Sequence, residues 1–412
     1  MRRLFTAAMV ALLAAIGTAG AQTIVRVQGY GGQDPAIVQR LIDEVIGADL
    51  AAQGITINYE PIETDYNTVL VNSLSAGTAG DVFYVPGETA PGFIATGKLL
   101  ALEDLVDTSA FIDTLNAVFS KDGHVYGIAK DFNTLAVFYN EDLFDAAGVA
   151  YPNADDDWTS FADKLARVAA LDPGVYGACI AADTARLGAF AFANGWTTFG
   201  ADGGVDLTSP AFAEAFDFYS GLVTSGAAAQ PADLGAGWPG DCLAREQAAV
   251  AIEGAWILGF LRDNAPNLQY GATFLPKSPT TGLSGNYLYT VAWAVNADIK
   301  VRDAAVKVLE ALTSPAAQQF ILEQGLAIPS RKELADNPYF SQDSAEARAN
   351  KVVFEGASHG NVYGFQFGTI GTDYMGPINN ALTAVMTGSV GSGAALSQAQ
   401  SDLTALLQRA AP

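Results

Sequence analysis

Trp196, Trp256, Tyr287, Tyr289 and Tyr374 stand in glycine-rich stretches close to carboxylates, and that combination has a definite chemistry. A flat ring offers a surface to the apolar C–H face of a pyranose. The hydroxyls of such a ligand pair with carboxylates, amides and arginine, and charged partners give the stronger hydrogen bonds. Taken singly, each aromatic residue is more often a core or strand filler; Trp293, inside the apolar run 291–295, is read as core.

Other chemistries are poorly provided for. His124 and His359 are the only histidines, so a histidine-rich metal site has too few ligands and a nucleophile has at most two candidate bases. Each lies in a turn, Asp122-Gly123-His124 and Ser358-His359-Gly360. No G-x-S-x-G elbow, phosphate-binding loop or dinucleotide fingerprint occurs. Cys179 and Cys242 are the only cysteines, and they fit either one disulfide or two buried thiols. These readings predict no catalytic residue, no metal and no cofactor.

The elements that would position a site read as alternating strands and helices. A β-prone run at 24–27 ends in Gly29-Tyr30-Gly31-Gly32, after which Asp34 and Pro35 open a helix with Val38, Leu41 and Ile42 on one face. A second strand holds Ile55, Ile57 and Tyr59, a second helix is expected over 66–76, and Val82-Phe83-Tyr84-Val85 reads as a strand buried on both faces. Such alternation predicts an α/β fold with mainly parallel sheets, whose ligands bind beyond the carboxyl ends of the strands. Those ends supply Tyr30, Asp65 and Glu88. Further on, two β-like runs flank residues 130–133. A helix follows with Ser160 and Asp163 as a capping box, then another over 212–222, then a strand at 248–252 ending in Glu253-Gly254-Ala255-Trp256.

The first residues read as a leader: Arg2 and Arg3, an apolar run over 4–16, and Ala19-Gly20-Ala21 as a cleavage site, giving a signal peptide over 1–21. The apolar run is shorter than the roughly 20 residues that span a bilayer. No cysteine sits near the cleavage site to carry a lipid, so a free, periplasmic protein is expected. The length of 412 residues suggests more than one domain, and a net charge of −23 argues against nucleic acid and anionic lipid as partners.

Several segments together resemble the extracellular solute-binding proteins of ATP-binding-cassette importers, the sugar-binding family typified by maltose-binding protein. They are Asp81-Val82-Phe83-Tyr84-Val85 with Gly97-Lys98-Leu99-Leu100, then Val125-Tyr126-Gly127-Ile128-Ala129 leading to Tyr139-Asn140-Glu141-Asp142-Leu143-Phe144. Arg245-Glu246-Gln247-Ala248 with Gly254-Ala255-Trp256 comes next, followed by Thr313-Ser314-Pro315 through Ile328-Pro329. The resemblance implies a type II periplasmic-binding-protein fold: two lobes, three crossing segments and a ligand cleft between. By position the crossings fall near 130–133, 286–290 and 333–338. One lobe would hold 22–130 and 291–333, the other 131–290 and 334–412. Carried over motif by motif, the resemblance makes Trp256 the stacking tryptophan and Glu88 and Asp131 acidic ligand contacts. It adds Tyr30, Trp196 and Tyr374 from contact-bearing regions, and Asn286, Tyr287 and Arg331 from their places near crossings. It also implies a di- or oligosaccharide ligand, membrane permease subunits as partners, and a monomer.

Two other solutes and one enzyme class compete. Polyamines suit the acidic count; ferric iron wants clustered tyrosines, and no adjacent tyrosine pair occurs. A glycoside hydrolase needs a carboxylate pair about 5 Å or about 6.5–9.5 Å apart. With 44 acidic residues composition does not exclude one, but no local motif singles it out.

Overall fold

The computed structural model describes residues 22–31, 34–200, 203–324 and 327–410, with the side chain of residue 369 left out. The expected signal peptide lies outside them. Strands Thr23–Tyr30, Ile55–Ile62 and Val82–Pro86 form the parallel heart of a six-stranded sheet, the first two in register from Thr23 opposite Ile55 to Tyr30 opposite Ile62. Every residue of Val82–Pro86 is buried, as a continuous apolar run flanked by helices requires. The first helix begins at Asp34 and buries Val38 and Leu41. The second runs Tyr66–Ala76, its N-terminus capped by Asp65.

A second, five-stranded sheet is ordered Tyr270–Thr273, Ala136–Asn140, Val250–Glu253, Ala178–Cys179, Ala228–Ala229. Helices Trp158–Ala169 and Pro210–Thr224 belong to the same lobe, with Phe161, Leu165, Val168, Phe212 and Phe216 in its core. The capping box of the first of these is Asp157 with Ser160, three residues earlier than expected. Asp157 accepts from the Ser160 amide (2.8 Å), and the Ser160 hydroxyl accepts from the Asp157 amide (3.0 Å).

Both sheets are mixed, where the alternation of elements alone suggested mainly parallel ones. In the second sheet strand Ala136–Asn140 pairs antiparallel with both its neighbours; in the first the reason is the crossing chain. Strand Gly285–Val295 starts in the second lobe, parallel to Asn361–Gly364, and runs antiparallel to Val82–Pro86 in the first. Strand Ile128–Asn133 travels the opposite way, so the two crossings pair antiparallel, Tyr289 opposite Asn133 and Thr290 opposite Phe132. Buried polar side chains pin them: the Thr290 hydroxyl donates to the Asp131 carbonyl (2.7 Å), and Ser330 donates to the Ala129 carbonyl (2.6 Å). From Ile328, paired with Phe132, the chain passes through short turns at Lys332–Leu334 and Pro338–Ser341. It then enters helix Ala345–Gly356, which packs on Tyr270–Thr273.

Cys179 and Cys242 are buried and disulfide-bonded, with Cα atoms 6.3 Å apart. The bridge ties the second sheet to helix Pro239–Ala244. Among the described residues no helix is long and apolar enough to cross a membrane.

Candidate binding cleft

Because the three first-lobe strands run parallel and in register, their carboxyl ends share one edge. Tyr30 ends the first strand and meets Tyr66 and Tyr84 edge-on, ring centroids 4.9 and 5.1 Å apart. The flanking glycines let side chains of the neighbouring strands close on the backbone beside Tyr30. A Cβ at Gly29 would stand 2.8 Å from the Tyr59 hydroxyl, and one at Gly31 would stand 2.3 Å from the Glu63 carboxylate. Glu88 follows the third strand and is half-buried; burial lifts its carboxyl above the usual range. Burial, with Glu88 nearby, pushes the Tyr30 phenol up. Asp131, on the crossing strand, is buried and ion-paired to Lys130.

The second-lobe wall is assembled at the end of strand Val250–Glu253. Glu253 is fully buried, and its Oε2 accepts from Arg186 (2.6 Å) and from the Trp256 indole N–H (2.8 Å). Burial raises the Glu253 carboxyl, and the Arg186 guanidinium works against that rise. Arg186 also pairs with Asp183 (2.5 Å) and lies 5.9 Å from the Trp256 ring centroid. Trp256 opens a helix, remains partly exposed, and is met edge-on by Tyr289 at 5.1 Å. Among the described residues Glu253 Oε1 and Arg186 Nε, both buried, have no hydrogen-bond partner. A Cβ on Gly254 would stand 2.3 Å from the Trp256 ring, so Gly254→Ala is expected to turn the indole out of place. About a tenfold loss of ligand affinity with unchanged far-UV circular dichroism is the expected result, since 1.4 kcal/mol of lost contact is one decade; wild-type affinity would mean that the ring's position is irrelevant to binding.

The crossing strands join the walls. Asn133, opposite Tyr289, accepts from the Ala255 amide (3.0 Å), next to Trp256, while Asp131 lies two residues earlier on the same strand. At the rim, a groove of about 550 Å³ is bordered by Asp65, Asn67, Thr89 and Phe93 on one side and Ile370 and Asp373 on the other.

Of the residues singled out from sequence, Tyr30 and Glu88 gather on the first-lobe wall, Asp131 on the crossing strand beside it, and Trp256 on the second-lobe wall. Asp65 reaches the rim, but its carboxylate caps a helix, accepting from the Thr68 amide (3.3 Å) and hydroxyl (2.7 Å). The remaining five are built into the fold instead. Trp196 is buried against Phe192 with its N–H given to the Asp206 carbonyl (3.1 Å). Tyr287 is fully buried and stacked on Phe365 at 4.3 Å. Tyr374 is buried on Phe367, its hydroxyl donating to the Thr198 carbonyl (2.7 Å). Asn286 clamps the Leu135 amide and carbonyl (2.8 and 2.7 Å), which spends its side chain on the crossing. Arg331 lies over Phe111 at 4.7 Å and donates to the Thr313 carbonyl (2.6 Å). Arg186, Glu253 and Lys130 were not singled out. Arg186 three residues after Asp183 has the look of a surface ion pair, and only the fold delivers Glu253 to it.

His124 is exposed and paired with Glu103, and His359 is stacked on Phe274 at 3.8 Å. Among the described residues no group of three or more His, Cys, Asp or Glu is placed to hold a metal ion.

Residues 50–349 match the family model of the bacterial extracellular solute-binding proteins. A binding protein of Brucella abortus is 25% identical over 296 residues, covering 70% of this chain and 71% of the relative. Among solved structures, an ABC substrate-binding protein from Listeria monocytogenes in complex with cycloalternan superposes with a TM-score of 0.80 at 21% identity, covering 94% of this chain and 99% of that one. The cyclic alpha-maltosyl-1,6-maltose binding protein from Arthrobacter globiformis gives a TM-score of 0.80 at 18% identity, with coverage of 94% and 99%.

Proposed function

The chain belongs to the bacterial extracellular solute-binding proteins, and from that membership and the chemistry of the cleft we propose that it captures a di- or oligosaccharide and delivers it to the permease subunits of an ATP-binding-cassette importer. The observation that carries this reading is the partly exposed Trp256 indole beside the buried Arg186–Glu253 pair. A flat platform next to fixed, charged hydrogen-bonding groups is what a ring with an apolar face and hydroxyl edges requires. The sugars held by the Listeria and Arthrobacter proteins support the same ligand class.

Lobe 1 takes residues 22–130 and 291–333, lobe 2 takes 131–290 and 334–412, and residues 1–21 direct export to the periplasm, where the chain acts as a monomer. Ligand docked on one wall draws the other over it, because contacts to both lobes favour the closed state. Closure excludes water and strengthens the hydrogen bonds made by Glu88, Asp131 and Arg186. The family and its solved relatives are binding proteins, and binding without turnover is the activity proposed here. Energy for transport comes from the importer.

A thermal-shift screen against mono- and oligosaccharides, with polyamines and ferric citrate as controls, tests the reading. Ligand at a hundredfold excess over its Kd stabilises the folded chain by about 2.7 kcal/mol. A rise in Tm with one sugar series is the expected result. A rise with a control and none with any sugar would overturn the choice of solute.

A further inference from the structure

The cleft wall at the first crossing holds a lysine ammonium between two carboxylates and an aromatic face. Lys130 is largely buried, its side chain 12% exposed, and its ammonium sits among three partners. It pairs with Asp131, stands 3.9 Å from Asp34, and lies 5.0 Å from the centroid of the Tyr84 ring. The Tyr84 hydroxyl donates to Asp34 in turn (3.4 Å), and Tyr30 closes on the edge of the same ring. Two carboxylates and an aromatic face within about 6 Å of a nitrogen make a receptor for an alkylammonium ion. Here the alkylammonium is supplied by the chain itself.

We propose that Lys130 is a tethered cation that fills an amine receptor in the cleft wall and so excludes cationic solutes, making it a specificity-determining residue. The inference rests on the carbohydrate reading of the cleft and adds to it the solute class that the protein rejects. Without Lys130, Asp34 and Asp131 would present two uncompensated negative charges beside Tyr84, and a diamine would be drawn to them. With Lys130 in place, one of the two charges is compensated, both carboxylates are held in position, and the place a second ammonium would take is already filled. Burial alone would weaken the lysine's hold on its proton, but Asp131 and Asp34 more than offset this and keep the group charged.

Lys130→Ala opens the receptor. Putrescine and propylammonium are titrated into wild type, Lys130→Ala and Lys130→Arg, with Tm as the readout. Wild type and Lys130→Arg are expected to ignore both amines, while Lys130→Ala gains at least about tenfold in amine affinity, a decade being the lower end of what one desolvated cation site supplies. An amine-blind Lys130→Ala, or a wild type that binds putrescine as well as the variant does, overturns the proposal. Should the alanine variant fail to fold, Lys130→Gln, which leaves a polar side chain in the strand, is judged by the same criterion. Maltotetraose and cycloalternan titrated into wild type test the parent reading separately. Sugar binding with an amine-blind variant sinks only the role of Lys130, whereas a wild type that binds putrescine and no sugar sinks both.

Discussion

Arg186→Met is expected to destabilise the folded chain by about 3–5 kcal/mol, the cost of leaving a buried charge without its partner. Glu253 has no exposed surface, and its carboxylate is held by Arg186 and the Trp256 N–H. Methionine fills much of the space of the arginine stem but provides no donor. The indole alone then faces a carboxylate that cannot reach water. Asp183 loses the same partner, but it is partly exposed and water compensates it.

The pH dependence distinguishes this cause from lost packing. The folded-state pKa of Glu253 is already raised by burial, with Arg186 opposing the rise, so removing Arg186 lifts it further. A carboxyl raised above its unfolded value of about 4.3 destabilises the fold above its folded pKa, and the penalty vanishes below the unfolded one. The gap between wild type and Arg186→Met should therefore be widest near neutrality and shrink as pH falls towards 4. Denaturant midpoints at pH 7 and pH 4.5 measure it. Arg186→Met/Glu253→Gln, with the charge removed from both sides, should recover much of the loss. A deficit that is the same at both pH values would assign the effect to packing instead.

The parallel heart of the first lobe was legible because its signals are local. Val82-Phe83-Tyr84-Val85 is apolar at every position, and such a run in an α/β chain is buried on both faces. Asp65 before Tyr66 and Gly77 after Ala76 bracket a helix with a cap at each end. The antiparallel pairing of residues 128–133 with 285–295 was not legible, since partners so distant in sequence are chosen by lobe crossing and not by pattern. The misplaced capping box has a smaller cause. Asp157 and Ser160 satisfy the spacing as well as Ser160 and Asp163 do, and only the helix start at Trp158 decides between them.

For the cleft, the limit was physical ambiguity between core and platform. Tyr287, Tyr374 and Trp196 have the same glycine and aromatic surroundings as Trp256, yet they are buried where Trp256 is not. Gly188, whose Cβ would stand 2.2 Å from the Tyr287 ring, makes room for a core ring, and nothing in local sequence announces that packing. Arg186 was hidden by the opposite problem. Its nearer partner, Asp183, gives a helix ion pair of a kind found on most surfaces, while the decisive one, Glu253, is 67 residues away. A buried charge pair is a property of the fold, and a single sequence without its contacts cannot distinguish it from a solvated one.

Trp256→Ala is expected to weaken binding of the sugar identified by thermal shift about a hundredfold, with the fold retained. An aromatic anchor in a partly desolvated site contributes 2 kcal/mol or more when truncated, and 2.7 kcal/mol is two decades of Kd. The indole does two things at once: its face is a platform, and its N–H fixes one oxygen of Glu253. Trp256→Phe separates them, keeping a face and losing the N–H, and should fall between wild type and alanine. Fluorescence gives an independent readout. Of the five tryptophans, Trp158, Trp196 and Trp293 are 5%, 5% and 2% exposed, and the partly exposed Trp238 is covered edge-on by Phe260 at 5.0 Å, so Trp256, the one tryptophan assigned to the cleft wall, should carry the ligand-induced change. The ligand-induced change in emission should therefore disappear in Trp256→Ala even at saturating sugar. If the variant binds with wild-type affinity and keeps the emission change, Trp256 has no contact with the ligand, and the cleft wall at Arg186 and Glu253 loses its assigned role with it.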